Sequence, residues 1–221
     1  MIESLRNIWN MKDLRGRILF TLGILAVYRV GAFIPTPGIN TEVLREIFDR
    51  NRGTALGFLD LFSGGNFGNF TIFALGITPY ITSSIILQLL TVVWPYLERL
   101  SKEGELGRKK ITQYTRYLTV ALGLIQSIGI ASFLQSMPAE GGAQVVINPG
   151  FGFVFMTMLT QTTGTAFIMW LGERITERGI GNGMSLIIFA GIVSGLPSAS
   201  HEVFTRLIQR QWSPLFVIVL L

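Results

Sequence analysis

The sequence predicts an all-α polytopic membrane protein with five transmembrane helices, a half-length re-entrant helix between the first two, and the start of a sixth. Three observations carry that expectation. Of 221 residues, 49% are hydrophobic and only 14% charged, whereas a soluble domain of ordinary composition carries roughly 25% charged residues. The apolar residues fall in runs near or above the length that crosses about 30 Å of hydrocarbon. The charges, net +5, sit in short clusters between those runs, as juxtamembrane basic residues do, rather than along one face as a nucleic-acid surface requires. Direct nucleic-acid binding is therefore not expected.

Each element can be justified in order. Residues 1–17 contain neither an apolar signal core nor a small-residue cleavage site, so the first apolar run, 18–34, is expected to stay as a span. Residues 55–65 end in FLDLFSGG, an apolar stretch too short to cross a membrane and stopped by glycines. Such a piece cannot face lipid with unsatisfied backbone ends, so it belongs inside protein or in a water-filled funnel. An interfacial helix resting at the outer surface is the alternative. Gly64, Gly65 and Gly68 are expected to form a hinge of low conformational cost after it. The second span is placed at 70–94, the third at 117–134, the fourth at 150–171 and the fifth at 184–196, with loops at 95–116 and 172–183. The run 212–221 is the start of a sixth span interrupted at Leu221, the mark of a longer protein. Lys and Arg concentrate in the N-terminal segment and in the two loops, which assigns these to the cytoplasm.

Several candidate chemistries are rejected on their residues. KEGELGRKKIT lacks the Lys-[Ser/Thr] ending of a phosphate loop, because Gly107 precedes Arg108, and no strand leads into it. RGIGNG, residues 178–183, is a glycine cluster without a preceding strand and reads as a tight turn at the head of the fifth span. His201 and Glu202 have no further ligand at metal spacing. With no cysteine there is neither a thiol nucleophile nor a cysteine metal site. No paired-carboxylate or Ser-His-Asp arrangement falls within a span, so neither enzymatic activity nor a cofactor or metal is expected. Arg29 alone is ionisable inside a span. Snorkelling or pairing with a loop acid accounts for it, and a transport role is the rival reading. In GITPYITSSIILQLL, Ile77 and Ile81 share a helical face beside a polar sector of Thr82, Ser83, Ser84 and Gln88. That pattern fits bundle core, lipid contact or a pore lining.

The stretches YRVGAFIPTPGIN, FSGG, FALGITPYITSSIILQLLTVVWP, KEGELGRKKITQYTRY, QSIGIA, VINPGF and LGERITERGIGNGMSLIIFAGIVSGLP cover nearly the whole chain in order. Together they resemble the N-terminal half of the SecY family, the channel subunits of the Sec preprotein translocase, to which the alpha subunit of the endoplasmic-reticulum translocon is related. The resemblance implies the first half of an inverted-repeat ten-helix channel in the bacterial cytoplasmic membrane, with a cytoplasmic N-terminus. It implies a plug at Phe58, Leu59, Asp60, Leu61, Phe62, Ser63, Gly64 and Gly65, and an apolar pore ring to which this half gives Ile77, Ile81, Met184 and Ile188. Isoleucine is common in relatives at the position of Met184, a departure that leaves the ring apolar. The lateral gate would include Thr82 and Gln126, and the basic run Arg108, Lys109 and Lys110 would contribute to docking of cytoplasmic partners, or be a plain topology signal. Implied partners are the SecE and SecG subunits, the SecA ATPase, the ribosome, signal peptides and nascent chains, and membrane lipid. The rival classes are half of an inverted-repeat secondary transporter, which needs intramembrane carboxylates the spans lack, and a purely structural membrane subunit.

Overall fold

The computed structural model describes residues 11–50, 60, 63–137 and 144–208, with side chains described up to Gly195. Within these residues the regular elements are seven helices: α1 (Lys12–Gly31), α2 (Thr41–Arg50), α3 (Thr78–Val93), α4 (Pro95–Lys102), α5 (Glu105–Ser136), α6 (Phe151–Arg178) and α7 (Gly183–Ile208). The expected start of a sixth span, 212–221, lies outside the described residues, as do Phe58, Leu59, Leu61 and Phe62.

Small residues set the packing. On α5, Thr115, Thr119, Gly123, Ser127 and Ala131 recur every four residues and are all buried, which lets α6 lie close along them. Ser127 Oγ and Thr162 Oγ1 meet at 3.5 Å across this seam. The buried stripe of α6 includes Phe153, Thr157, Gln161, Gly164, Ile168 and Ile175. Gly164 accepts the backbone of Ile72 against its Cα, where any side chain would collide with the Ile72 carbonyl.

Helix boundaries depart from the apolar runs in ways that local chemistry explains. The run 70–94 is not one helix. Residues 70–77 form successive turns, with positive φ at Phe70 (41°) and Gly76 (56°), and α3 begins only at Thr78, where Pro79 pre-sets the first turn. At the other end Pro95 cannot donate into the helix, so α3 and α4 meet at a bend of 100°. The loop expected over 95–116 is therefore mostly helix: α4 folds back so that Leu97 and Leu100 pack on Leu87, and after a turn at Gly104 (φ 75°) α5 starts at Glu105. Charged residues extend helices that the apolar runs ended early, α5 by a dozen residues at its start and α6 through Arg178 instead of 171. The helix expected at 184–196 runs from Gly183 to Ile208.

The stretch RGIGNG does form the turn between α6 and α7. Gly181 has φ 68°, and Asn182 Oδ1 accepts the amides of Met184 (3.0 Å) and Ser185 (3.3 Å), capping α7. The far end of the bundle is closed by α2, whose Leu44 and Phe48 pack with Val145, Val146, Leu134 and Phe153. Asn40 Oδ1 caps α2 through the Glu42 and Val43 amides.

Among the described residues, α5 is the one single helix long and apolar enough to cross a membrane, and the bent α3–α4 pair passes the same test together. Five spans are thus not countable from length and apolarity alone. Arginines at both ends of α1 and the Thr/Gln stripe of α6 lower the hydropathy of these helices, yet α6 packs beside α5 and α3, and α1 beside α6 and α7.

Candidate functional site

The start of α3, the middle of α5 and the first half of α7 enclose a cavity of about 440 Å³. Its walls are almost wholly apolar: Ile77 and Ile188 face it, Ile168 and Ile187 back it, and Ser63 and Phe67 close one side. Gln126 contributes one of the few polar groups and has no hydrogen-bond partner among the described residues.

Ile77 reaches this cavity because of how 70–77 is held. Gln161, 1% exposed in the middle of α6, gives its Nε2 to Thr36 Oγ1 (2.8 Å) and the Thr71 carbonyl (2.9 Å) and accepts the Leu75 amide at Oε1 (3.3 Å). One amide side chain thereby satisfies the Leu75 amide, which no helix or sheet supplies with a partner, and adds a second bond to the Thr71 carbonyl, which also accepts the Ala74 amide (2.9 Å). Two further bonds link the segment to the end of α1: the Thr36 amide donates to Phe70 O (2.9 Å) and the Ile72 amide to Ile34 O (2.9 Å). The Phe73 ring lies on Gly31 and stacks between Tyr28 and Phe167, with centroids 5.6 Å and 6.2 Å away.

The wall at Ser63–Phe67 is equally tied down. Asp60 Oδ1 accepts the Gly68 amide (2.7 Å), the Asp60 carbonyl accepts the Gly65 amide (2.9 Å) and Ser63 Oγ (2.9 Å), and Ser63 Oγ in turn accepts the Phe67 amide (3.0 Å). Asn66 Nδ2 donates to Tyr28 Oη (3.1 Å) and to the Ser63 carbonyl (2.6 Å), and its Oδ1 accepts Thr71 Oγ1 (3.1 Å). Gly64 (φ 70°) sits against the backbone of Gly191 on α7, so close that a Cβ there would come 2.7 Å from the Gly191 carbonyl oxygen. The glycines expected as a loose hinge are a pinned turn, because left-handed backbone and close approach both need them.

The other expected site residues are placed as follows. Ile77 and Ile188 share the cavity; Ile81, 38% exposed, and Met184, whose thioether lies over Gly172 of α6, do not line it. Ile77 is the residue before α3 rather than within it, and its carbonyl accepts the Tyr80 and Ile81 amides. Thr82 Oγ1 donates to its own helix at the Thr78 carbonyl (3.0 Å), so Thr82 and Gln126 are not bonded to each other. Arg108, Lys109 and Lys110 are exposed on the first turns of α5, Lys109 paired with Glu105 at 3.1 Å. Arg29 meets no carboxylate among the described residues; its Nη1 donates to the Gly64 carbonyl (3.3 Å) and its guanidinium lies 5.2 Å from the Phe33 ring centroid. The expected pairing with a loop acid is thus replaced by a grip on backbone.

The sequence profile of the SecY family matches residues 71–221. The chain belongs to the SecY family. The protein translocase subunit SecY of Escherichia coli (strain K12) is 54% identical over 209 residues, covering 95% of this chain and 46% of that protein. Two solved structures share the fold at TM-score 0.59 and 18% identity, each covering 88% of this chain. One is titled Sec61 in the canine ribosome-channel complex from the endoplasmic reticulum, the other the structure of a protein conducting channel. They are covered to 42% and 41% of their own lengths. The chain spans about half the length of the curated relative it matches.

In this SecY-family chain, sequence reasoning missed Gln161, Asn66 and Tyr28. A signal for Gln161 was present: Thr157, Gln161 and Thr165 are spaced by four in an otherwise apolar run, and all three are buried. Polar groups at that spacing mark a stripe that turns inward, where burial favours hydrogen bonding. Gln161 is bonded, while Thr157 Oγ1 and Thr165 Oγ1 have no partner among the described residues.

Proposed function

We propose that the full-length protein is the pore-forming subunit of a protein-conducting channel that passes unfolded preproteins across the bacterial cytoplasmic membrane and releases membrane helices sideways into lipid. It is not an enzyme; a partner ATPase of the SecA type or a ribosome supplies energy. SecE and SecG are its companion subunits, and signal peptides and nascent chains its cargo. This chain provides the first five membrane helices, with the N-terminus in the cytoplasm, and the plug, half of the pore ring and one side of the lateral gate. Family membership supports the reading, and the observation that carries it is the apolar cavity between Ile77 and Ile188, closed on one side by Ser63 and Phe67.

An apolar constriction suits this task. Water and ions find no favourable path through it, yet soft side chains can surround a translocating chain without selecting its sequence. Ile81 and Met184 each lie one turn along their helices from Ile77 and Ile188, and in the proposed topology both lie on the cytoplasmic side of the cavity, extending the ring. Gln126, half-buried on the cavity wall, and Thr82 form the polar edge of the gate. Their interhelical bonds to the other half, of order 1 kcal/mol each, are weak enough to part when a signal sequence enters. The exposed Arg108, Lys109 and Lys110 add to the cytoplasmic docking face.

The secondary-transporter reading finds no carboxylate among the described residues of the cavity wall. The test is conductance of the full-length channel complex in planar bilayers. Ile77→Asp and Ile188→Asp are each expected to raise resting ion leak severalfold, and parental conductance in both would remove these residues from the ring.

A further inference from the structure

We infer that Arg29 is a positioning residue for the proposed seal: it clamps the Ser63–Phe67 wall of the cavity to α1 and so holds the channel shut at rest. This rests on the channel reading above and adds to it the contact that keeps the wall in place.

Arg29 lies half-buried in the last turn of α1, and a charge at the end of a membrane helix is held by a specific partner or by water. Arg29 has no acid partner among the described residues. It has instead the carbonyl of Gly64, at 3.3 Å, and the face of Phe33. Gly64 is the residue at which the cavity wall turns, in a left-handed conformation, between Ser63 and Phe67, which line the cavity. A charged donor on a carbonyl makes a stronger bond than a neutral one and leaves an uncompensated charge if it breaks.

Asn66 is bonded to Thr71 and Phe67 packs edge-on against Phe48 of α2 at 5.5 Å, and three contacts tie the wall to α1 and α7. Two come from adjacent residues of α1: Arg29 on the Gly64 carbonyl and Tyr28 Oη on Asn66 Nδ2. The third is steric, the backbone of Gly64 against that of Gly191 on α7. Gly191 stands about one turn beyond Ile188, so any movement of α7 that widens the cavity also withdraws this seat. The turn at Gly64 is then left to Arg29, while Asn66 stays on Tyr28 and Thr71 and Phe67 on Phe48 of α2. Of the two α1 contacts only Arg29 carries a charge, and only Arg29 grips the turn at Gly64. Arg29 therefore decides whether the turn at Gly64 stays when α7 moves, and losing its bond should loosen this side of the wall without touching the ring.

The test uses the full-length protein in its channel complex, reconstituted in planar bilayers. Arg29→Gln is expected to raise resting ion conductance by about tenfold, the effect of losing one charge-assisted hydrogen bond. Arg29→Lys keeps the charge and a donor and should recover part of the seal. In channels lacking residues 58–65, which should already leak, Arg29→Gln is expected to add nothing, since a residue acting through the wall has no effect once the wall is gone. Gly64→Ala leaves every α1 side chain in place but drives the turn off Gly191, and is expected to leak as well.

Parental conductance in Arg29→Gln, with leak in the deletion, overturns the clamp and leaves the plug reading standing. Equal added leak from Arg29→Gln with and without residues 58–65 also overturns it, because Arg29 would then act elsewhere. A deletion that does not leak removes the plug reading itself, and the clamp with it. If Arg29→Gln does not assemble, parental conductance in Gly64→Ala overturns the proposal.

Discussion

Replacing Gln161 by leucine tests how the entrance to α3 is built. The two side chains are similar in size, so the change removes hydrogen bonds while keeping most of the packing. Three groups lose a partner: Thr36 Oγ1, the Thr71 carbonyl and the Leu75 amide. All three residues are buried, and a buried polar group left unsatisfied costs about 1–3 kcal/mol. The Thr36 hydroxyl can rotate, and the Thr71 carbonyl keeps the Ala74 amide at 2.9 Å, so the Leu75 amide is the group left unsatisfied. One such group gives roughly 1–3 kcal/mol. Because Ile77 follows this segment directly, the loss should also loosen the cavity. Equilibrium unfolding of the full-length protein in detergent, followed by tryptophan fluorescence, measures the first effect, and cysteine accessibility at position 77 measures the second. A stability loss below about 1 kcal/mol, with accessibility unchanged, would refute the hub role of Gln161.

Two further outcomes are expected. Gly183→Ala puts a Cβ against the Gly172 carbonyl and 2.8 Å from Ile175 Cβ; with backbone on the opposing side, the overpacking should cost about 1–3 kcal/mol in the same unfolding assay. The Arg116–Glu173 pair joins α5 to α6 at 2.7 Å, but Arg116 is 45% exposed. A double-mutant cycle should therefore give a coupling no larger than about 1 kcal/mol, falling as salt is raised.

Much of this architecture was legible in the residues, for reasons that also mark the limits. Long apolar runs locate α5, α6 and α7 because burial in protein and in lipid both demand them. Helix ends were misplaced wherever the deciding chemistry was not apolarity. Pro95 turns the chain by 100° within what reads as a loop, and Glu105 to Arg116 continue α5 because charged residues are good helix formers. The break over 70–77 was hidden inside an apolar run, since its stability comes from Gln161, distant in sequence. For the site, the pairing of Ile77 with Ile188 was accessible only through the resemblance. Spacing linked Ile77 to Ile81, which are neighbours along the chain but not in the cavity wall. The glycines after Ser63 signalled a turn correctly, but whether a glycine turn is free or pinned depends on partners such as Arg29 and Gly191. No periodicity encodes those partners.

The central claim is that a polypeptide in transit passes between Ile77 and Ile188. Its most direct test is photocross-linking in the full-length protein, with a photoreactive residue at position 77 or 188 and at exposed Ile125 on α5 as the control, against a secretory chain stalled during export. The account predicts strong cross-links to the stalled chain from 77 and 188 and little from 125. Equal yields at all three positions, or none at 77 and 188 while the chain is demonstrably engaged, would contradict it.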